Sequence, residues 1–231
     1  MLFRSFNAPV LGILALLDQG LDRILYVDLD AHHGDGVQDA FHDDERVLTI
    51  STHEEGRWPY TGRLEDRAGG MARNIPLPPG LNDDEFRHVV EEAIIPLAVA
   101  FRPQAMMIQT GADALADDPL SRLSLSNRAL WRAVGDLVGL APRTIVVGGG
   151  GYNPWSVGRA WAGIWAVLNG IDPAEAPLTP AAASVLKSLT WDRREGRNPQ
   201  RRWLDTLVDP PHQGPIRDMV RQAAASVRDL W

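Results

Sequence analysis

Arg23-Ile-Leu-Tyr-Val-Asp28-Leu-Asp30-Ala-His32-His33-Gly34-Asp35-Gly36 is the stretch on which the fold of this chain turns. Its first half is apolar and partly β-branched, the composition of a strand buried on both faces of a sheet. Its second half sets aspartates and histidines among glycines, where such a strand ends. In extended backbone, side chains two residues apart point the same way. Asp28, Asp30 and His32 are therefore expected on one side of the strand end. Two carboxylates and an imidazole there would repel or stay solvated unless a cation held them.

Outward from this stretch, helices and strands alternate. Further short strands are predicted at residues 46–51, 105–109 and 143–147. Helices are predicted at residues 9–17, 83–100, 126–140 and 154–169, with Ser126 as an N-cap, Pro154 in a first turn and Gly170 just past an end. Residues 54–82 are rich in glycine, proline and polar groups and read as a long loop, a feature that is often functional inside a compact domain. The alternation predicts an α/β fold of three layers, a mainly parallel sheet with helices on both faces. From Pro173 the composition shifts, and two more helices are expected at residues 180–189 and 215–230, joined by an Arg- and Pro-containing connector.

Open parallel sheets bind ligands beyond the carboxyl ends of their strands. Ser51, Thr52 and His53 follow the second predicted strand, Thr110-Gly111-Ala-Asp113 the third, and Gly148 to Gly151 with Tyr152 the fourth. Asp113 would complete a metal set with Asp30 and His32. Three protein ligands leave a position open, the mark of a catalytic rather than a structural site. Such an ion acidifies water and polarises a carbonyl. The competing reading makes Asp28 and Asp30 helix caps and the histidines surface residues; the complete string together with Asp113 favours the metal. An EF-hand loop fits poorly, because His32 stands where oxygen is expected. The glycine run lacks the Lys-Ser/Thr of a P-loop and the spacing of a dinucleotide fingerprint. It lets backbone approach a ligand closely. Tyr152 then either offers its hydroxyl to a developing oxyanion or packs on a tight turn.

Composition narrows the options. The chain has 231 residues, 45% hydrophobic and 23% charged, with a net charge of -7 and no cysteine. An acidic balance gives no general attraction for nucleic acid or anionic membrane, so neither is an expected partner. Without cysteine there is no disulfide, thiolate zinc site or cysteine nucleophile, and a transition metal must use His, Asp or Glu. The apolar run 8–17 after Arg4 is too short to span a bilayer and has no cleavage pattern after it; a helix ended by Gly20 is expected, and a cytoplasmic location. Arg193, Arg194, Arg197, Arg201 and Arg202 read as a solvated surface.

The stretch 23–37 resembles the signature segment of histone deacetylases, shared with bacterial acetoin-utilisation and acetylpolyamine deacetylases. Gln109-Thr-Gly-Ala-Asp113, Asp118-Pro-Leu120 and Gly148-Gly-Gly-Gly-Tyr152-Asn153 resemble the family's later motifs, in the same order. The likeness runs from about Phe6 to Asn169. It implies the arginase/deacetylase-like fold in a single domain 1–231, with 1–170 as the catalytic core and 171–231 as a helical extension packed on it. It implies zinc-dependent hydrolysis of an N-acetyl amide, on a protein lysine, a polyamine or a related small molecule. By resemblance, Asp30, His32 and Asp113 hold zinc, with iron(II) as the alternative, and Tyr152 stabilises the tetrahedral intermediate. Asp28 and Ser51, with backbone carbonyls of Asp30, His32 and Thr52, would hold a structural potassium ion. Phe41 and Val47 would offer carbonyls to a second monovalent ion. Trp58 matches an aromatic wall of the substrate tunnel, Gly111 lies near the opposite wall, and Gly150 and Gly151 line it too.

The family also carries a Gly-His-His-Ala-like segment upstream, whose general base is oriented by aspartates that Asp28 and Asp35 match. This sequence contains no such pair; His33 belongs to the metal loop. The expectation is therefore an N-terminally truncated member, from a start placed too late or a shortened gene rather than from a complementing second chain, though such a chain or a homo-oligomer stays a possible partner. Loss of a general base costs about 10²–10⁴-fold, so weak or absent activity is expected. The missing strands would leave residues 23–28 as an exposed edge. Two alternatives stand: a two-manganese ureohydrolase, which needs more carboxylates than the Ala114-Leu115-Ala116 that follow Asp113, and a fragment that binds an acyl ligand without cleaving it.

Overall fold

The computed structural model describes residues 6–228. Strand β1 (Ile24–Asp28) lies at the centre of a five-stranded sheet, with all five residues buried. It pairs in parallel with β2 (Val47–Glu54) on one side and β4 (Ala105–Thr110) on the other. The outer strands are β3 (Ala72–Leu77) beside β2 and β5 (Thr144–Gly148) beside β4, all parallel. The expected exposed edge at residues 23–28 is thus overturned: β2 and β4 satisfy the backbone of β1 on both sides. The edges among the described strands are β3 and β5, and β5 is nowhere fully buried.

The alternation of β1 separates two cores. Ile24 and Tyr26 meet Ile13 of α1 (Ala8–Asp18) and Val37 of α2 (Asp35–Ala40). Leu25 and Val27 face the larger core, with Phe86 and Val89 of α3 (Asp83–Val89), Leu97 of α4 (Ile95–Phe101), Leu130 and Val134 of α5 (Asn127–Leu137) and Ile164 of α6 (Pro154–Leu168). Helices cover both faces, as the alternating pattern predicts.

Four elements differ from the reading of the sequence. The segment 54–82 is not all loop, because it contains β3. Arg73 and Pro76 break its apolar pattern, but an edge strand tolerates a residue without an N–H, while Ile75 and Leu77 pack into the larger core. The helix over 83–101 is interrupted by a π turn at Val90–Ile94. Pro96 follows directly; inside a regular helix it would lose a hydrogen bond and clash with the preceding turn. Beyond α6 come α7 (Pro180–Ser188), the unforeseen five-residue α8 (Arg201–Asp205) and α9 (Asp218–Ser226), which starts later than expected because Arg217 is extended. Arg202 is also not a solvated residue: it pairs with Asp117 and Asp209. Val220 and Ala224 of α9 join the larger core. No described helix is long and apolar enough to cross a membrane.

Candidate metal centre

The groove beyond the carboxyl ends of β1, β2 and β4 has a volume of about 860 Å³, and Asp30, His32, Asp113, Gly150 and Tyr152 line it. Strand alternation does not carry Asp30 and His32 there. The strand stops at Asp28, and each aspartate accepts a hydrogen bond from the amide two residues on: Asp30 N to Asp28 Oδ1 at 3.1 Å, His32 N to Asp30 Oδ1 at 2.9 Å. Short polar side chains favour such local turns. Asp28, Asp30 and His32 all reach the groove, but by these turns rather than by strand alternation. Asp28 stays with Tyr26, whose hydroxyl donates to Oδ2 at 2.7 Å, while Asp30 and His32 meet Asp113.

Asp113 arrives from a short turn, Ala112–Ala114, directly after β4 and Gly111. His32 Nδ1 lies 3.1 Å from Asp30 Oδ1 and 3.0 Å from Asp113 Oδ2. One ligand atom from each of the three residues falls within 4.8 Å of the others. The outer carboxylate oxygens are held from behind. Asp30 Oδ2 accepts from Gly150 N at 2.7 Å and Gln109 Nε2 at 3.3 Å, and Asp113 Oδ1 from Ala31 N at 3.0 Å. A Cβ on Gly111, Gly149 or Gly150 would run into these carboxylates or Gln109, so glycine is what lets backbone approach so closely.

The electrostatics call for a cation. Burial raises Asp113 to about 7, helped by the charge of Asp30. Burial also pushes Asp30 up, but hydrogen bonds from His32 and Gly150 outweigh it and hold its carboxyl below the usual range. Burial pushes His32 down, yet hydrogen bonds to Asp113 and Asp30 win and raise it to about 10. The two buried carboxylates thus favour positive charge on the group between them, the charge that a divalent ion would supply. Two carboxylates and one imidazole suit zinc or iron(II), so the residues present fit the ion.

Tyr152 follows the glycine run, and its amide donates to Asp118 Oδ2 at 2.6 Å. Trp58 and Tyr60 stand exposed at the mouth, edge to face with 6.1 Å between ring centroids. Asp35 lines the groove from the first turn of α2, accepting from Gly36 N. Gly111 is buried against Asp30 rather than facing the groove, and Gly151, at φ +149°, lies between Val157 and Ala112. His33 turns away from the metal ligands. Its Nδ1 meets Thr61 Oγ1 at 2.8 Å and its Nε2 meets Gln38 Oε1 at 3.1 Å. His53, held at about 4 by burial and by His33, contacts the Gly62 carbonyl through Nε2. Together the two histidines pin the loop that carries Trp58.

Asp28 and Ser51 are register partners on β1 and β2, and Thr52 Oγ1 donates to the Asp28 carbonyl at 3.1 Å. Burial, then the charge of Asp30, raises Asp28 well above the usual carboxylate range. Phe41 and Val47 are buried together on the α1–α2 side, and the Phe41 carbonyl accepts from Asp44 N. The sequence reading assigned no role to Gln109 or Asp118. The signal for Asp118 was present, an aspartate two residues before an amide that it caps (Leu120 N, 2.9 Å).

Residues 3–168 match the family model described as the histone deacetylase domain. The chain belongs to the histone deacetylase family. It is 36% identical over 174 residues to "Histone deacetylase 8" of Xenopus laevis, covering 73% of this chain and 53% of that protein. To "Acetoin utilization protein AcuC" of Bacillus subtilis it is 38% identical over 184 residues, covering 74% and 47%. The crystal structure of an HDAC homolog from Aquifex aeolicus superposes with a TM-score of 0.89 at 36% identity, covering 98% of this chain and 63% of that one. A crystal structure of an HDAC homolog complexed with SAHA gives a TM-score of 0.88. This histone deacetylase-family chain thus spans about half the length of the curated relatives it matches.

Proposed function

We propose that the chain carries the metal centre of a zinc-dependent deacetylase that hydrolyses an N-acetyl amide, on a protein lysine, a polyamine or a related small molecule. The observation that carries this reading is the meeting of Asp30, His32 and Asp113, from two strand ends, in the groove that Tyr152 also lines. A bound zinc or iron(II) ion supplies Lewis acidity to a carbonyl and to water. The protein's part is to hold three ligand atoms ready: Gly150 N, Gln109 and Ala31 N fix the outer carboxylate oxygens. Tyr152 donates its hydroxyl to the oxyanion that forms on the acetyl carbonyl. Trp58 walls the acyl-bearing chain at the mouth, and Gly150 lines the groove beside the carboxylates. Asp28 and Ser51, with the carbonyls of Asp30, His32 and Thr52, would hold a structural potassium ion, and the carbonyls of Phe41 and Val47 would serve a second monovalent ion.

Among the described residues that line the groove, the imidazoles are those of His32 and His33. His32 is a ligand and both nitrogens of His33 are engaged. No imidazole among these is available as a general base. Turnover is therefore expected about 10²–10⁴-fold below that of a family member with the histidine pair. This same observation favours a second reading, a site that grips an acylated ligand without cleaving it.

A fluorogenic acetyl-lysine peptide and an acetylpolyamine, each with one equivalent of zinc, separate the two. Slow, zinc-dependent turnover supports the deacetylase, and binding without turnover supports the second reading. Asp113→Ala should abolish stoichiometric zinc uptake, and uptake unchanged by it would remove the metal centre from both.

A further inference from the structure

We propose that α8 is a clamp that positions Tyr152. This rests on the reading of Tyr152 as the oxyanion donor. Asp117 lies four residues after the ligand Asp113, and α8 takes both of its carboxylate oxygens. Arg202 donates to Oδ1 at 2.6 Å and the Trp203 indole N–H to Oδ2 at 2.7 Å. From there the grip passes to the Tyr152 turn by two routes. Asn153 Nδ2 donates to the Asp117 carbonyl at 3.2 Å, and Tyr152 N donates to Asp118 Oδ2 at 2.6 Å. Asn153 in turn caps α6, accepting from Trp155 N at 3.1 Å.

The clamp is itself braced. The second arm of Arg202 reaches Asp209 Oδ1 at 3.1 Å, which the fully buried Arg159 also grips at 2.6 Å. Trp203 is buried and stacks on Trp155, with ring centroids 5.4 Å apart and planes 20° from parallel. The indole packing and the indole N–H are thus separable contributions. α8 lies beyond residue 168, where the match to the family model ends.

Buried ion pairs are weak sources of net stability, because desolvation offsets the attraction. What such a network does supply is a single geometry, since charge-assisted hydrogen bonds are short and directional. An oxyanion donor needs that, because a displacement of about 1 Å costs on the order of 10²-fold in rate. Arg202 and Trp203 touch no groove atom, so they are positioning residues, acting through Asp117, Asp118 and Asn153.

The chain has three tyrosines, at 26, 60 and 152, so labelling with 3-fluorotyrosine gives three ¹⁹F resonances, assignable by Tyr→Phe substitution. Trp203→Phe keeps the stacked ring and removes only the N–H, and Arg202→Met keeps an apolar stem. Each should shift or broaden the Tyr152 line and leave unmoved both the line of Tyr26, in the small core, and the zinc stoichiometry. In a turnover assay kcat should fall about 10–100-fold with KM held. A Tyr152 line unmoved in both variants overturns the clamp. So does a Tyr26 line that moves with it, which marks general loosening. Because the ¹⁹F readout needs no turnover, an inactive unsubstituted chain would count against the deacetylase reading and leave the test of the clamp intact.

Discussion

Gly150→Ala perturbs the metal centre with one methyl group. Gly150 is outside the left-handed region of φ, so alanine meets no backbone strain there. The added Cβ would collide with Asp113 Oδ2 and come within 3.0 Å of Asp30 Oδ2. Asp113 is fully buried and has no solvent to swing into. Either its carboxylate retreats and strains the 3.0 Å bond from Ala31 N, or residue 150 retreats and strains its own 2.7 Å bond to Asp30. Both responses misdirect a ligand. Losing the groups that orient ligands weakens metal binding about 10–100-fold, which is roughly 1.4–2.8 kcal/mol. Overpacking should also lower the stability of the metal-free chain by about 1–3 kcal/mol. Zinc competition against a chromophoric chelator measures the first quantity and urea unfolding the second. Gly158→Ala is the control: nothing lies near its Cβ on α6, so zinc affinity should not change, and stability should rise by up to about 1 kcal/mol. A Gly150→Ala chain that binds zinc within twofold of the unsubstituted chain would refute the claim that glycine is required for close approach to the ligands.

Glu85 takes two charged hydrogen bonds from Arg217, at 2.6 and 2.7 Å, which tie α3 to the start of α9. Burial pushes its carboxyl up, but Arg217 outweighs this and holds it below the ordinary value. A depressed carboxylate adds stability that is present above its unfolded value, about 4.3, and is lost as pH falls through the lower folded value. Glu85→Gln should therefore cost about 1–2 kcal/mol at pH 7, discounted because Arg217 is partly exposed, and progressively less as pH falls below about 4; urea-midpoint losses that do not shrink with falling pH would contradict this. Tyr26→Phe removes the hydroxyl that donates to buried Asp28 and should lower stability by about 1–3 kcal/mol, with thermal unfolding as the check. His53→Phe removes the contact to the Gly62 carbonyl, so limited proteolysis should cut the loop carrying Trp58 faster, while zinc uptake stays stoichiometric. An unchanged cleavage rate would mean that other contacts hold that loop.

Several features were legible because they are local. The buried run before Asp28, Pro154 in the first turn of α6 and the glycines that let backbone approach carboxylates all follow from short-range rules, whereas Ser126 stands at the N-cap position of α5 but turns its hydroxyl to Asp83. β3 was hidden because its evidence is an edge position, and only a neighbouring strand reveals an edge. The π turn was hidden because Pro96 permits either a helix end or a bulge, and packing against the larger core decides between them.

The residue string 28–36 with Asp113 was enough to predict a candidate metal site, since carboxylates and an imidazole brought together at strand ends repel or stay solvated unless a cation holds them. Which strands flank β1 was a tertiary outcome: its partners β2 and β4 come from segments about 20 and 80 residues away, joined by register and helix packing rather than by any local pattern. The same holds for Asp117, Arg202 and Trp203, which are unremarkable in sequence. They acquire a role only because α8 folds back across some 85 residues to close on the turn that holds Tyr152.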